Sequence, residues 1–328
     1  MSSELHLKDI TKLLIDSKTE QEEIKAVNLL SNFYAKILEV ILFKDFNATG
    51  TEVNGGLALS PKHAKDCLED YVRTARFIKG SYKAIQKAIQ IFKNKKIEIV
   101  YAGTGPLGTL LVPLLPLFSS DDITITFIDI HESSILSLKQ IINHLGYKAY
   151  IKQYLVEDAT IFKFKERAHL HVAITETMDK GLTKEPQVSI TQNLVSQLSD
   201  KGILVPEDIE ISSRKSFHAK EKAFKSNTNY IDYINPEQKD VLFSINKNMK
   251  SLETKFSFES DRKFFNQDFE DTPDICIYTK IKVFDDIFIN DGEALITNPY
   301  CVKSLYALKK NTYKLQYTTI NTPHWSIN

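Results

Sequence analysis

Between Lys96 and Ile211 the chain changes its period. Five short β-rich runs follow one another there: "KIEIVYAGTG", "DITITFIDIH", "AYIKQYLVEDA", "HLHVAITETM" and "GILVPEDIEI". Those up to the fourth are separated by helix-like stretches such as "SSILSLKQIINHLG". Parallel strands need long crossovers, and helices usually supply them. Alternation of this kind therefore predicts an α/β unit whose mostly parallel sheet is covered on both faces. Ligands of such sheets bind beyond the carboxyl ends of the strands. The residues that close each β-rich run are the first place to look for function.

The flanking segments have other periods. From Ser3 to Lys44 apolar residues recur at helical spacing: Leu7, Ile10, Leu13 and Leu14, then Ile24, Val27, Leu30, Tyr34, Ile37, Leu38 and Ile41. Residues 1–50 are expected to form a helical region that either packs under its own core or pairs with a second copy. The glycine-rich "FNATGTEVNGGLALSP" reads as a loop. Ser60-Pro61 then provides an N-cap and a proline at the first helical position, opening one long helix or two in succession. The α/β unit is assigned to residues 51–206. Beyond it, residues 207–328 carry alternating runs such as "DICIYTKIKVFDDIFI" and predict an antiparallel, barrel-like β-rich domain. Only the polar stretch around "PEQKDVLFSINKNMKS" reads as helical there.

Composition excludes several partners. Lys+Arg and Asp+Glu both number 42, so the chain lacks the basic excess that nucleic acid or an anionic membrane demands. Cys67, Cys276 and Cys301 show no CxxC spacing, which predicts reduced thiols rather than a disulfide framework or a zinc site. The first residues lack the apolar core of a secretory leader, and the longest apolar run, "LGTLLVPLLPLF", is short and broken by proline. A soluble cytoplasmic protein is expected. His169 and His171 share one face of a strand without a third ligand at suitable spacing, so no metal is expected.

Candidate chemistry collects at the run ends. "IEIVYAGTGPLG" places Gly103, Gly105 and Gly108 in a G-x-G-x-x-G pattern after a strand. A helix expected to follow would offer its free amides to a ligand, so a nicotinamide or flavin enzyme stays open. Asp129 closes the second run, where a carboxylate can hold the hydroxyls of an adenosine ribose. Glu157 and Asp158 close the third. Glu176 and Glu185 bracket a short loop, "TETMDKGLTKEP", after the fourth.

Taken in order, "DYVRT" (Asp70–Thr74), the glycine turn, Asp129, "VED" and the two glutamates resemble the class I methyltransferases, and specifically the protein arginine methyltransferases. The resemblance covers roughly residues 60–206. It implies a Rossmann-like fold and S-adenosyl-L-methionine as cofactor. Arg73 would pair with the cofactor's carboxylate, Gly103, Thr104, Gly105 and Pro106 would form the turn beneath it, Asp129 would take the ribose, and Glu157 or Asp158 the adenine side. Glu176, Glu185 and Met178 would form the catalytic loop.

Two carboxylates can grip a planar guanidinium from two sides and align one nitrogen for attack. The acceptor is then a guanidino or amine compound, such as free arginine or a metabolite of natural product biosynthesis, in preference to a protein arginine. A homodimer is expected. The departures from the family pattern are Tyr101 in place of an acid, Pro106-Leu107 in the glycine region, a loop without aromatic residues, and a threonine–histidine–tryptophan-like "TPHW" (Thr322–Trp325) close to the end of the sequence. A helix-capping role for Glu185, a methyltransferase with another nitrogen, oxygen or carbon acceptor, a nicotinamide-dependent oxidoreductase, and a binding module without turnover remain as alternatives.

Overall fold

The computed structural model describes residues 6–41, 46, 48–164, 170–216, 239–249, 255–264 and 274–328. Helices α1 (Leu7–Asp16) and α2 (Glu20–Val40) open the chain. Thr19 and Glu22 form a capping box at the start of α2, which satisfies two backbone donors that would otherwise lack partners. Leu7, Ile10 and Leu14 of α1, with Val27, Leu30, Tyr34 and Ile37 of α2, are buried in the main core of this same chain. Leu13 at 49% exposure and Val40 at 63% remain outside. The apolar stripe of the N-terminal helices is thus covered within one chain.

The expected loop after them contains a hairpin, β1 (Thr51–Val53) and β2 (Gly56–Ala58), paired antiparallel across Asn54-Gly55. Asn-Gly between short extended runs is a hairpin signal, and Gly55 adopts φ 76°. Two helices follow, as the second of the two sequence readings has it. α3 (Pro61–Asp66) is capped by Ser60 and α4 (Tyr71–Ile91) by Asp70, whose carboxylate accepts the Arg73 N–H at 3.3 Å.

The central sheet contains β3 (Ile97–Ala102), β4 (Ile123–Asp129), β5 (Ile151–Val156), β6 (Leu170–Thr175) and β7 (Leu198–Val205). They are parallel, in the spatial order β5-β4-β3-β6-β7. Alternate residues serve opposite faces. Ile97, Ile99 and Tyr101 enter the large core with α4 and α5 (Glu132–His144), while Val100 and Ala102 join Ile190 and Leu194 of α6 (Gln187–Val195) in a second core. Burial on both faces explains why these strands read as nearly continuous apolar runs. The strand order reverses beside β3, so the crevice for a ligand opens at the carboxyl ends of β3, β4 and β6.

The glycine turn after β3 is not followed by an α-helix. Turns run from Gly105 to Leu111 and give way to 3₁₀ turns over Val112–Leu117, which contain Pro113 and Pro116. Proline removes an intrahelical donor and clashes with the preceding turn, so this segment cannot continue as an α-helix. The residues after the glycine turn therefore do not present the N-terminus of an α-helix to the cleft.

The C-terminal part is antiparallel. β8 (Asp208–Ser216), β9 (Asp240–Asn246), β12 (Asp274–Phe284), β13 (Ile287–Ile289) and β14 (Tyr300–Ser304) form one sheet centred on β12. β10 (Ser257–Glu259), β16 (Leu315–Thr318) and β17 (His324–Ile327) form a second, and β11 (Lys263–Phe264) pairs with β15 (Thr312–Tyr313). The expected helix around "PEQKDVLFSINKNMKS" is corrected here: Asp240–Asn246 is a strand paired with β8. Pairing with a neighbouring strand overrides a weak local helical pattern. No described helix is long and apolar enough to cross a membrane.

Candidate functional site

A cleft at the carboxyl ends of the central strands encloses about 880 Å³, its open mouth included. Arg73, Gly103, Thr104, Gly105, Asp129, Glu157, Asp158, Glu176, Met178 and Glu185 all line it, as do Tyr101, Cys67, His131 and the hairpin residues Val53 and Ala58. Pro106 is not among the lining residues. The chain turns at Gly105 and Gly108, both left-handed, and carries Pro106 into the interior.

The floor is built from two turns. Gly103 has φ 70°, and a Cβ there would lie 2.2 Å from Thr177 Cγ2. Glycine is thus required both by the left-handed backbone and by the close approach of the residue after Glu176. Asp129, 6% exposed, ends β4. Its Oδ2 accepts Gly105 N–H at 2.9 Å and its Oδ1 accepts His131 N–H at 2.9 Å. Thr104 Oγ1 also donates to Oδ2, at 3.4 Å, and His131 Nδ1 lies 3.4 Å from Oδ1. His131 also contacts Thr51 of β1 through Nε2, at 3.0 Å, which ties the hairpin to this wall. Glu157 is exposed. The Asp158 carboxylate accepts the Thr160 N–H at 2.8 Å, closing a local turn.

The acidic loop leaves β6 at Glu176, 6% exposed, whose Oε2 forms an ion pair with Arg73 Nη2. Arg73 also donates from Nη1 to Cys67 O at 3.1 Å, so its guanidinium is buried and held, not displayed on the surface. Thr177 N–H donates to Gln187 Oε1 at 2.8 Å; Gln187 is fully buried and was not singled out by its sequence context. Met178 is buried against the cleft.

Gly181, Leu182 and Lys184 are all left-handed. Glu185 N–H donates to Thr183 O at 2.7 Å across Lys184 at φ 63°, a three-residue turn of positive φ that is rare and strained. Strain of this kind persists only where the surroundings enforce it. Here Lys184 N–H donates to Pro323 O at 2.9 Å, and Leu57 N–H of the hairpin donates to Lys184 O at 2.8 Å. Tyr317 and Trp325 donate to Leu182 O and Gly181 O at 2.9 and 2.8 Å. A Cβ on Gly56 would fall 2.6 Å from Pro186 N, so the hairpin lies directly on the loop. Of "TPHW", Pro323 and Trp325 brace the loop, while His324 is exposed, its ring Nδ1 2.9 Å from Thr322 O.

Glu185 precedes the N-cap of α6 and faces the cleft. Burial lifts its carboxyl from an ordinary 4.5 to about 7, against the opposing pull of Arg73. Burial also raises the Tyr101 hydroxyl above its ordinary value. Away from the cleft, His171 Nδ1 accepts the Glu98 N–H at 2.9 Å and its ring packs on Phe92, a structural placement; His169 lies outside the described residues. Among the described residues no group of three potential metal ligands converges.

The cleft is lined by a buried carboxylate at Asp129, a guanidinium at Arg73 and the glycine turn at Gly103 and Gly105.

Neither the protein-family models nor the curated proteins contain a match to this chain. Solved structures do resemble it. A PRMT6–SAH structure superposes with a TM-score of 0.52 at 8% identity, over 80% of this chain and 97% of that one. The Trypanosoma brucei PRMT1 enzyme–prozyme heterotetramer with AdoHcy gives 0.48 at 10% identity over 76% and 85%. An open conformation of Arabidopsis thaliana protein arginine methyltransferase 10 gives 0.49 at 11% over 78% and 86%. The likeness to the PRMT6 structure establishes a shared fold: a Rossmann-like class I methyltransferase sheet with an antiparallel β-rich C-terminal part.

Proposed function

We propose that this chain is an S-adenosylmethionine-dependent N-methyltransferase whose acceptor is a guanidino nitrogen, with free arginine or a related small molecule preferred over a protein arginine. The reading rests on one observation above the rest: Arg73 of α4, Asp129 of β4, and Glu176 and Glu185 at the two ends of the acidic loop line a single cleft at the switch point of the sheet.

Asp129 would hold the ribose hydroxyls. Arg73, with three of its five N–H donors outside the Cys67 and Glu176 contacts, would take the amino-acid carboxylate. When bound, the cofactor supplies an electrophilic methyl group on a sulfonium centre. The protein's part is alignment and charge. Glu176, fixed by Arg73, and Glu185, fixed by the strained turn, would grip the guanidinium from two sides and present one nitrogen in line, an entropic advantage that can reach several kcal/mol. Replacing an N–H hydrogen by methyl releases one proton and leaves the guanidinium charge unchanged. Glu185, with a proton affinity near neutrality, is the group suited to accept it.

The broken segment after Gly108 counts against a nicotinamide dinucleotide. The test is to incubate the protein with isotopically labelled S-adenosylmethionine and, separately, free arginine, other guanidino compounds and an arginine-rich peptide, and to identify products by mass spectrometry. Methylarginine or another methylguanidine is expected. Thermal stabilisation by NAD and not by S-adenosylhomocysteine, with no methylated product, would overturn the reading.

A further inference from the structure

Two of the three cysteines meet outside the cleft. Cys276 on β12 and Cys301 on β14 stand directly opposite in the antiparallel pairing, beside a register shift that begins after Ile275. Directly opposed antiparallel residues have Cα atoms about 4.5 or 5.5 Å apart, and both spacings fall within the roughly 4.4–6.8 Å that a disulfide spans. Cys276 is fully buried and Cys301 is half-buried. The next pair in the register, Ile277 and Tyr300, forms the surface beneath the acidic loop. A Cβ on Gly181 would lie 3.1 Å from Tyr300 Cβ and 3.5 Å from Ile277 Cγ2. Thr279, two residues along β12, accepts the Gly181 N–H at 3.3 Å.

We propose that Cys276 and Cys301 are a redox-modification site: a low-molecular-weight disulfide oxidises them to a cross-strand disulfide that clamps β12 to β14 beneath the acidic loop. Cys301 is the group that reacts first. It is the more exposed, and a hydrogen bond from the Cys276 thiol holds its proton affinity below the ordinary thiol value, which favours the nucleophilic thiolate. Its sulfur attacks the small disulfide and expels one thiol. The Cys276 sulfur then displaces the second thiol from the mixed disulfide. Two cysteine protons end on the two released thiols, and the electrons lost by the pair reduce the small disulfide. Cys67 lies in the cleft, its thiol raised by burial, and takes no part. The proposal stands independently of the reaction assigned above.

The experiment treats the full-length protein with oxidised glutathione, alkylates remaining thiols with iodoacetamide after denaturation, and maps the unreduced digest. A linked Cys276–Cys301 peptide, with alkylated Cys67, is expected. C67S should keep that link, and C276S and C301S should each lose it. Alkylation of both residues, a stable glutathione adduct on each, or a bridge to Cys67 overturns the site. Hydrogen exchange over Gly181–Glu185 reads the coupling to the loop: oxidation should slow it by about threefold or more in wild type and not in C301S. Unchanged exchange in the oxidised wild type overturns the coupling.

Discussion

Glu185→Gln separates the charge of the acidic loop from its shape. The carboxyl rises from 4.5 to about 7 because burial disfavours its charged form. At about 1.36 kcal/mol per pH unit, that displacement corresponds to ~3 kcal/mol. The native chain holds this proton more tightly than the unfolded chain does. As pH rises past 4.5 the unfolded state releases it first, so the native state carries the excess proton between about 4.5 and 7 and stability falls across that window. Above about pH 7 the full destabilisation is present.

Glutamine keeps the volume and cannot ionise. Urea unfolding of wild type and E185Q at pH 5 and pH 8 should therefore give similar stabilities at pH 5 and an advantage for E185Q of ~2–3 kcal/mol at pH 8. Methyl transfer should fall in the same variant by about 10²-fold or more, as when one preorganised charge-stabilising group is lost. A residue that costs stability in the free protein and is needed for turnover is a functional group, not a structural one. Two unfolding profiles running parallel from pH 5 to pH 8 would refute the reasoning.

Further expectations follow from the same geometry. Arg73→Ala should abolish measurable S-adenosylhomocysteine binding by calorimetry. It should also destabilise the protein by about 3–5 kcal/mol, because Glu176 is left buried without its cation. Gly103→Ala should cost about 1–3 kcal/mol in thermal or urea unfolding, and Thr177→Ser, which removes the methyl 2.2 Å from the new Cβ, should recover part of it in the double variant. Trp325→Phe deletes the bond to Gly181 O; about 1 kcal/mol of stability is expected to go, with kcat falling more than cofactor affinity. The rate of transfer in wild type should rise through about pH 7 as Glu185 ionises, and a pH-independent rate between 6 and 8 would count against its role.

Much of the α/β unit was legible because its signals are local. β3, β4 and β6 are buried on both faces and read as apolar runs, and Asp129 stands at a strand end that sequence alone locates. Asp70 caps α4 and places Arg73 in its first turn, a relation that spans four residues. What stayed hidden depends on distant partners. Arg73 and Glu176 are an ion pair between residues far apart in the chain, and nothing near either one announces it. The braces from Leu57, Tyr317, Pro323 and Trp325 that hold the loop's strained turn come from both ends of the sequence. Two misreadings had local warnings. Asn54-Gly55 marked a hairpin inside an apparent loop, and Pro113 with Pro116 ruled out the helix expected after the glycine turn. The strand at Asp240–Asn246 had no such warning, since β8 alone decides it.

The central claim concerns where two carboxylates point. A crystal structure of the protein with S-adenosylhomocysteine and arginine should find Glu176 and Glu185 both within about 3 Å of guanidino nitrogens, with one of those nitrogens facing the cofactor sulfur. Carboxylates turned away from each other, or an arginine bound elsewhere with the cleft closed by the protein's own side chains, would contradict the account.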